Sequence, residues 1–326
     1  MVWRPAIAAL AGLGAVLAGA WVATAQAQEW PNKPVKILVG FGAGGGTDVV
    51  ARIVADKLPE VLGQQFVVEN RPGAGGTIAG GMVAKSEADG YTALAVSTGH
   101  AVSAVTLKQV PYDPVTSFAP VGVIASAAYV VVVPKDSPAT DLKSLVAHIN
   151  KEPDNLNYST VTPGSTQHLI AEDLRQRTGM KAKLVTYRTT GEVVTALLRG
   201  DAAFAVELFH ALRGQVDAGD LRLIAVSTPQ RWPAAPNVPT LAESGLPGFA
   251  YTTWYGLLFP AGTPQPIVDR LHGALRQVLT RDDVKQRLEG AGAIAGLSTP
   301  AEFGKLIASD VSSFRSVARK AGLEPK

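Results

Sequence analysis

The stretch Val39–Asp48, VGFGAGGGTD, holds the residues best suited to chemistry. Gly40, Gly42 and Gly45 satisfy G-x-G-x-x-G. An apolar run (VKILV) precedes them, an apolar-periodic segment (DVVARIVADKL) follows, and Glu69 ends the next apolar run. That is the layout of a dinucleotide-binding turn. The underlying physics is more general. Glycines let backbone N–H groups approach an anion closely, and a helix N-terminus adds partial positive charge. Phosphate and carboxylate fit equally well, and so does a plain strand-to-helix turn without a ligand. Gly46, Thr47 and Asp48 widen the loop beyond a tight dinucleotide turn. Asp48 is itself anionic, which suits it to satisfying backbone donors.

Four further stretches carry polar groups at the ends of apolar runs. In STGH, Thr98 offers a hydroxyl and Gly99 an amide, while His100 is either structural or an acid/base group. STVTPGSTQHL (159–169) is dense in hydroxyls and opens a helix, so Ser165, Thr166 and neighbouring amides form either a second anion nest or an N-cap cluster. Arg188, in the Tyr187–Thr190 run, is either a bidentate carboxylate partner or a solvated surface group. Glu207 follows the run AFAV, where a carboxylate needs a cation or a hydrogen-bond donor. No G-x-S-x-G, H-E-x-x-H or Walker loop occurs. The five histidines show no close metal-like pairing, and cysteine is absent, which removes thiol chemistry and disulfides.

The elements that must position these groups are legible from periodicity. Strands are expected at 35–41, 65–70 and 91–97, with helices at 48–58 and about 78–86 between them, a βαβαβ rhythm. The Val-rich run 118–134 reads as a segment crossing into a second lobe. There the pattern restarts, with strands at 157–160, 182–187 and 202–207 separated by helices. A strand at 221–227 crosses back, a Pro-rich irregular stretch occupies 231–249, and a further strand and C-terminal helices follow. The fold class is thus α/β with two mostly parallel sheets flanked by helices, in two lobes joined by two crossing strands. Residues 28–122 plus 229–326 make one lobe and 123–228 the other. Open α/β sheets bind ligands at the strand C-termini, between such lobes.

The chain has 326 residues, 47% of them apolar, enough for two lobes with substantial cores. A net charge of +3 and scattered charges give no case for a nucleic-acid partner. Residues 1–27 have the three-part form of a secretory signal: Arg4, an uncharged run from Ala6 to Val22, and Ala25-Gln26-Ala27 as cleavage site. The run is short and Ala/Gly-rich for a membrane span, which needs about 20 apolar residues. An exported chain meets no maintained nicotinamide pool, which weighs against the dinucleotide reading. An exported enzyme acting on a carboxylate, with His100 or Glu207 as acid/base, stands as the alternative to a binding protein.

WPNKPVKILVGFGAGGGTDVVARIVADKL, GQQFVVENRPGAGGTIAGGMVAKSEADGYTAL, PYDPVTSFAPVG, VPTLAESGLPGF and WYGLLFPAGTPQPIVDRL together resemble the periplasmic solute-binding receptors of the tripartite tricarboxylate transporter family, the Bug receptors. The resemblance covers nearly all of the chain after the signal. It implies a two-lobed, hinge-closing, monomeric receptor in the periplasm, with no cofactor and no enzymatic activity. Such a receptor holds an organic carboxylate and serves a membrane permease. It implies first-lobe contacts from Phe41, Gly44, Gly45, Thr47 and Asp48 and from Thr98, Gly99 and His100. Second-lobe contacts would come from Ser159, Thr162, Ser165, Thr166 and Gln167, from Tyr187, Arg188 and Thr189, and from Glu207. The second lobe departs from the family pattern at Thr160–Gly164, at Val185–Thr189 and at Glu207, where a shorter Asp is usual. Specificity is therefore expected to reside there.

Overall fold

The computed structural model describes residues 30–152, 155–323 and 325. The expected signal segment, residues 1–27, lies outside them. The first lobe opens with β1 (Val35–Val39), α1 (Gly46–Ala55), α2 (Leu58–Leu62), β2 (Phe66–Asn70), α3 (Thr77–Ala84), β3 (Thr92–Ser97) and α4 (Gly99–Thr106). The long strand β4 (Phe118–Pro134) leads to α5 (Leu142–Lys151), β5 (Asn157–Thr160), α6 (Thr166–Thr178), β6 (Lys183–Thr186), α7 (Thr190–Arg199), β7 (Phe204–Leu208), α8 (Phe209–Asp217) and β8 (Leu221–Val226). The chain returns through β9 (Thr252–Pro260), α9 (Gln265–Thr280), α10 (Asp282–Gly290), β10 (Ile294–Ala295) and α11 (Pro300–Ala321). The helix expected over 48–58 breaks at its end. Pro59 has no N–H to reach back to the carbonyl of Ala55, so a separate α2 starts there. Two helices exceed the sequence reading: α4 grows out of the STGH turn, and α8 follows the end of β7 at Leu208 directly.

The strands run β2-β1-β3-β9-β4-β7-β5-β6, with β8 and β10 also paired to β4. Within each lobe the βαβ units are parallel: β1 with β2 and β3, and β5 with β6 and β7. The antiparallel pairs come with the long connecting strands, β9 against β3 and β4 against β9, β7 and β8. β4 serves both lobes. Phe118–Ala128 pairs with β9, and Tyr129–Pro134 pairs with β7 and β8. The change of partner falls between Ala128 and Tyr129, while the sequence reading puts the lobe boundary after residue 122.

The composition of β4 follows from this position. Val131 and Val133 face the core built on α5, α6 and α11, while Val130 and Val132 face the core under α7 and α8. All four are at most 1% exposed. A strand covered on both faces reads as a continuous apolar run rather than an alternation. The return path is irregular. The Ser227 amide donates to the Tyr129 carbonyl (2.9 Å) and the Tyr251 amide to the Ser227 carbonyl (2.8 Å), so the Pro-rich stretch leaves and re-enters at one point. Behind the junction, α11 inserts Phe303, Ile307, Val311 and Phe314 into a core that it shares with α4 of the first lobe and α6 of the second.

Where α11 meets the connecting strands, Gly256 has no room for a side chain. A Cβ there would lie 2.4 Å from Phe303 Cζ and 2.9 Å from the Gly122 carbonyl oxygen. Phe303 is fully buried. Gly256→Ala is expected to cost about 1–3 kcal/mol by overpacking. The check is a urea titration in which the midpoint falls while the slope stays constant. An unchanged midpoint would mean that α11 yields at this contact.

Candidate functional site

A cavity of about 560 Å³ opens where the strand C-termini of both lobes meet. The first lobe contributes Phe41, Gly45, Gly46 and Thr47 from the β1–α1 loop, Gly75 from the second glycine turn, and Ser97 and Gly99 after β3. The second lobe contributes Thr162 to Gln167 at the start of α6, with Leu208 and His210 after β7. Tyr129, Thr253 and Tyr255 of the connecting strands line it too, as do Val102, Ser103 and Thr106 of α4 and Leu107 just after it, with Val102 and Leu107 the apolar members of that side. No lysine, arginine, aspartate or glutamate is among the lining residues. An anion here would be held by dipoles rather than by a counter-charge.

The glycine loop is built for that. No side chain caps α1, so its first-turn amides at Gly46 and Thr47 are available to an anion. Asp48 works from behind. Its carboxylate is 2% exposed and accepts from the Gly44 amide (2.9 Å), Arg52 Nε (3.0 Å) and Asn70 Nδ2 (2.8 Å). Asn70 also donates to the Phe41 carbonyl (3.0 Å), which ties the loop to the end of β2. The two glycine turns touch: a Cβ on Gly40 would come within 2.4 Å of Gly76 Cα. Ser103 Oγ anchors the second turn to α4 through the Gly75 carbonyl (2.9 Å). Glu69, the acid that a dinucleotide turn would aim at a ribose, instead pairs with Lys36 (3.5 Å) and Arg71 (2.8 Å).

In the second lobe the polar groups mostly serve the fold. Ser165 caps α6 by accepting from the His168 amide, and Thr189 caps α7 by accepting from the Glu192 amide. Glu207 is wholly buried. Its Oε2 accepts from Thr190 Oγ1 (3.3 Å), the Leu208 amide (3.3 Å) and, at a long 3.5 Å, Gln167 Nε2. Among the described residues its Oε1 has no partner, and neither do Ser159 Oγ and Thr160 Oγ1 on the neighbouring strand. Burial pushes the Glu207 carboxyl up to about 7, against the smaller opposing effect of its three donors.

Of the residues expected from sequence, Phe41, Gly45, Thr47, Gly99, Thr162, Ser165, Thr166 and Gln167 line the cavity. Gly44 and Asp48 do not, because the carboxylate turns inward to hold the loop. Thr98 is also withdrawn. Its hydroxyl accepts from the Trp254 amide (3.1 Å) and stitches β3 to β9. His100 points away: its Nε2 meets the Pro114 carbonyl at 2.9 Å and its ring stacks on Tyr112. A carbonyl can only accept, so Nε2 carries the proton. Burial pushes the His100 value down to about 4. Acid/base work by His100 on a cavity ligand is incompatible with that placement. Tyr187 packs against the α7–α8 core, Arg188 is exposed, and Ser159, Thr189 and Glu207 lie outside the lining. Sequence reasoning missed α4, Tyr129, Leu208, His210 and Tyr255. The spacing of Val102 and Val105 could have disclosed α4. The connecting-strand aromatics carry no local signal, since only the topology brings them here.

Comparison with known proteins agrees with the fold. Residues 50–323 match the model of the family described as "Tripartite tricarboxylate transporter family receptor". The chain is 32% identical to Protein BugT of Bordetella pertussis over 97% of this chain and 98% of that protein. It is also similar to an R. palustris protein solved with adipate (34% identity, TM-score 0.78, covering 91% of this chain and 100% of the other). MatC from Rhodopseudomonas palustris with bound malate is similar at 30% identity and TM-score 0.73, covering 88% and 99%.

The Asp48 network predicts a pH signature. Burial pushes this carboxyl up, but the bonds from Arg52, the Gly44 amide and Asn70 outweigh it and hold the group below its ordinary value of 3.8. A depressed carboxyl contributes stability above that ordinary value and loses it as pH falls through the folded value. Asp48→Asn is expected to lose about 1–3 kcal/mol at neutral pH. Thermal melts should show the gap to wild type closing below pH 3.8. A gap independent of pH would place the carboxylate outside the loop's support.

Proposed function

Because the chain belongs to the tripartite tricarboxylate transporter receptor family, we propose that it is an exported receptor which captures a small organic carboxylate between its lobes and delivers it to a membrane permease. In this reading residues 1–27 are removed on export and the mature chain works in the periplasm. Residues 28–122 plus 229–326 close as one lobe on 123–228 as the other, by a hinge motion about the connecting strands. The observation that carries the reading is the cavity wall. It presents the uncapped N-terminus of α1 from one lobe and the hydroxyl-rich start of α6 from the other, with no full charge from Lys, Arg, Asp or Glu. The adipate and malate bound to the two R. palustris proteins support the same ligand class.

Carboxylate oxygens would take the Gly46 and Thr47 amides and the Thr47 hydroxyl on one side, and Thr166 and Gln167 on the other. The apolar side at Val102 and Leu107 would receive the carbon skeleton. No catalytic step is proposed, and a bound ligand should be recovered chemically intact.

Mass spectrometry of small molecules released from the purified protein, with a thermal-shift screen of mono- and dicarboxylates, tests this. A specific carboxylate at about 100 times its dissociation constant should add roughly 2.7 kcal/mol of stability. Thr47→Val and Thr166→Val should each weaken that ligand by about 0.5–1.5 kcal/mol. A chain that ignores carboxylates but is stabilised by nucleotides, or that converts its ligand, would sink the reading.

A further inference from the structure

We infer that this receptor takes up its anionic ligand together with one proton, and that Glu207 holds the proton. The inference rests on the receptor reading and deepens it.

Glu207 is a fully buried carboxyl one residue from Leu208, which lines the cavity, and in contact with Gln167, which also lines it. All its donors are neutral, and all converge on Oε2 at 3.3 Å or more. Oε1 has none. Among the described residues no ion pair reaches it. Ionised, it would be a dry, half-satisfied charge, which is costly. None of the elements packed against β7 brings a cation to it: Arg188, just before α7, is exposed, and Arg213 of α8 pairs with Asp217 (3.5 Å). Tyr129 stands on β4, His168 on α6, Glu192 on α7 and His210 on α8. Burial lowers both histidines, so both are neutral at neutral pH. Glu192 accepts from the Arg188 amide (2.8 Å). Farther along α6, Arg175 and Arg177 pair with Glu172 and Asp173 of the same helix.

A ligand carboxylate sharpens the conflict. Thr166 and Gln167 give the cavity the N-terminal field of α6. An ionised Glu207 would draw on the same field from the other side of Gln167. Two anions cannot both be stabilised by one helix end. The entering carboxylate keeps its charge at the wetter position, and Glu207 stays or becomes neutral by taking a proton from solvent. Burial already brings this carboxyl to about 7 in the free protein, and a ligand anion raises it further. Affinity is therefore flat below about 7 and falls by up to about tenfold per pH unit above it.

The probes are acetate, malate and adipate. Titration calorimetry of wild type above neutral pH, in buffers of different ionisation heat, should show uptake of up to about one proton per bound probe. Glu207→Gln should bind with no uptake and a flat pH profile. Glu192→Gln, at an exposed acid of α7 outside the cavity lining, should retain both uptake and slope. Independently of any ligand, infrared spectra of the free protein at about pH 6 should contain a protonated-carboxyl band that Glu207→Gln lacks. Absence of that band overturns the inference and leaves the receptor reading standing, as does a probe that binds without proton uptake. Failure of every probe to bind counts against the receptor reading and removes this inference with it.

Discussion

One strand joins the two halves of the molecule. β4 is buried on both faces, and a buried backbone cannot leave its amides and carbonyls unpaired. It meets that demand by changing partners at Tyr129, from β9 in the first lobe to β7 and β8 in the second. The second parallel βαβ unit therefore hangs on this strand through β7 and the first through β9, and their C-terminal ends open on the same gap. The cavity is a consequence of that pairing. So is the burial of α11, whose apolar face must cover the junction from behind.

Within the gap the chain keeps full charges off the wall and places them one layer back. Asp48, Arg52 and Asn70 form a bonded group behind the glycine loop. They fix where its amides point while staying out of the cavity lining. The close contact of Gly40 with Gly76 presses the two glycine turns together, so either loop can shift only if the other does. Glu207 is the exception in the second lobe. It is a carboxyl next to the cavity, with neutral donors and no counter-charge among the described residues, and this sets it apart from the arrangement around Asp48.

The sequence made most of the fold legible because the fold depends on short-range patterns. β1, β2 and β3 and the helices between them follow from apolar runs and their spacing, and the Val-rich run at 118–134 announced a segment crossing between the lobes. The loops lining the cavity were legible for the same reason, since Gly45, Thr47, Thr162 and Thr166 stand at the ends of recognisable strands. The direction of side chains was not legible. Thr98, His100 and Asp48 have the right chemistry in the right loops, yet each turns away to satisfy a neighbour: the Trp254 amide, the Pro114 carbonyl and the Arg52–Asn70 pair.

By itself, then, the sequence determined that glycine-rich strand ends would offer backbone donors to an anion, because glycine and helix starts do so wherever they occur. It also determined that two α/β units share the chain. Only the tertiary structure decided which side chains line the cavity. Tyr129 and Tyr255 reach the cavity through strand register, and His210 through a helix that no motif announced. Glu207 lost its expected place on the wall, because burial without a cation is a property of everything packed around a residue rather than of its neighbours in sequence.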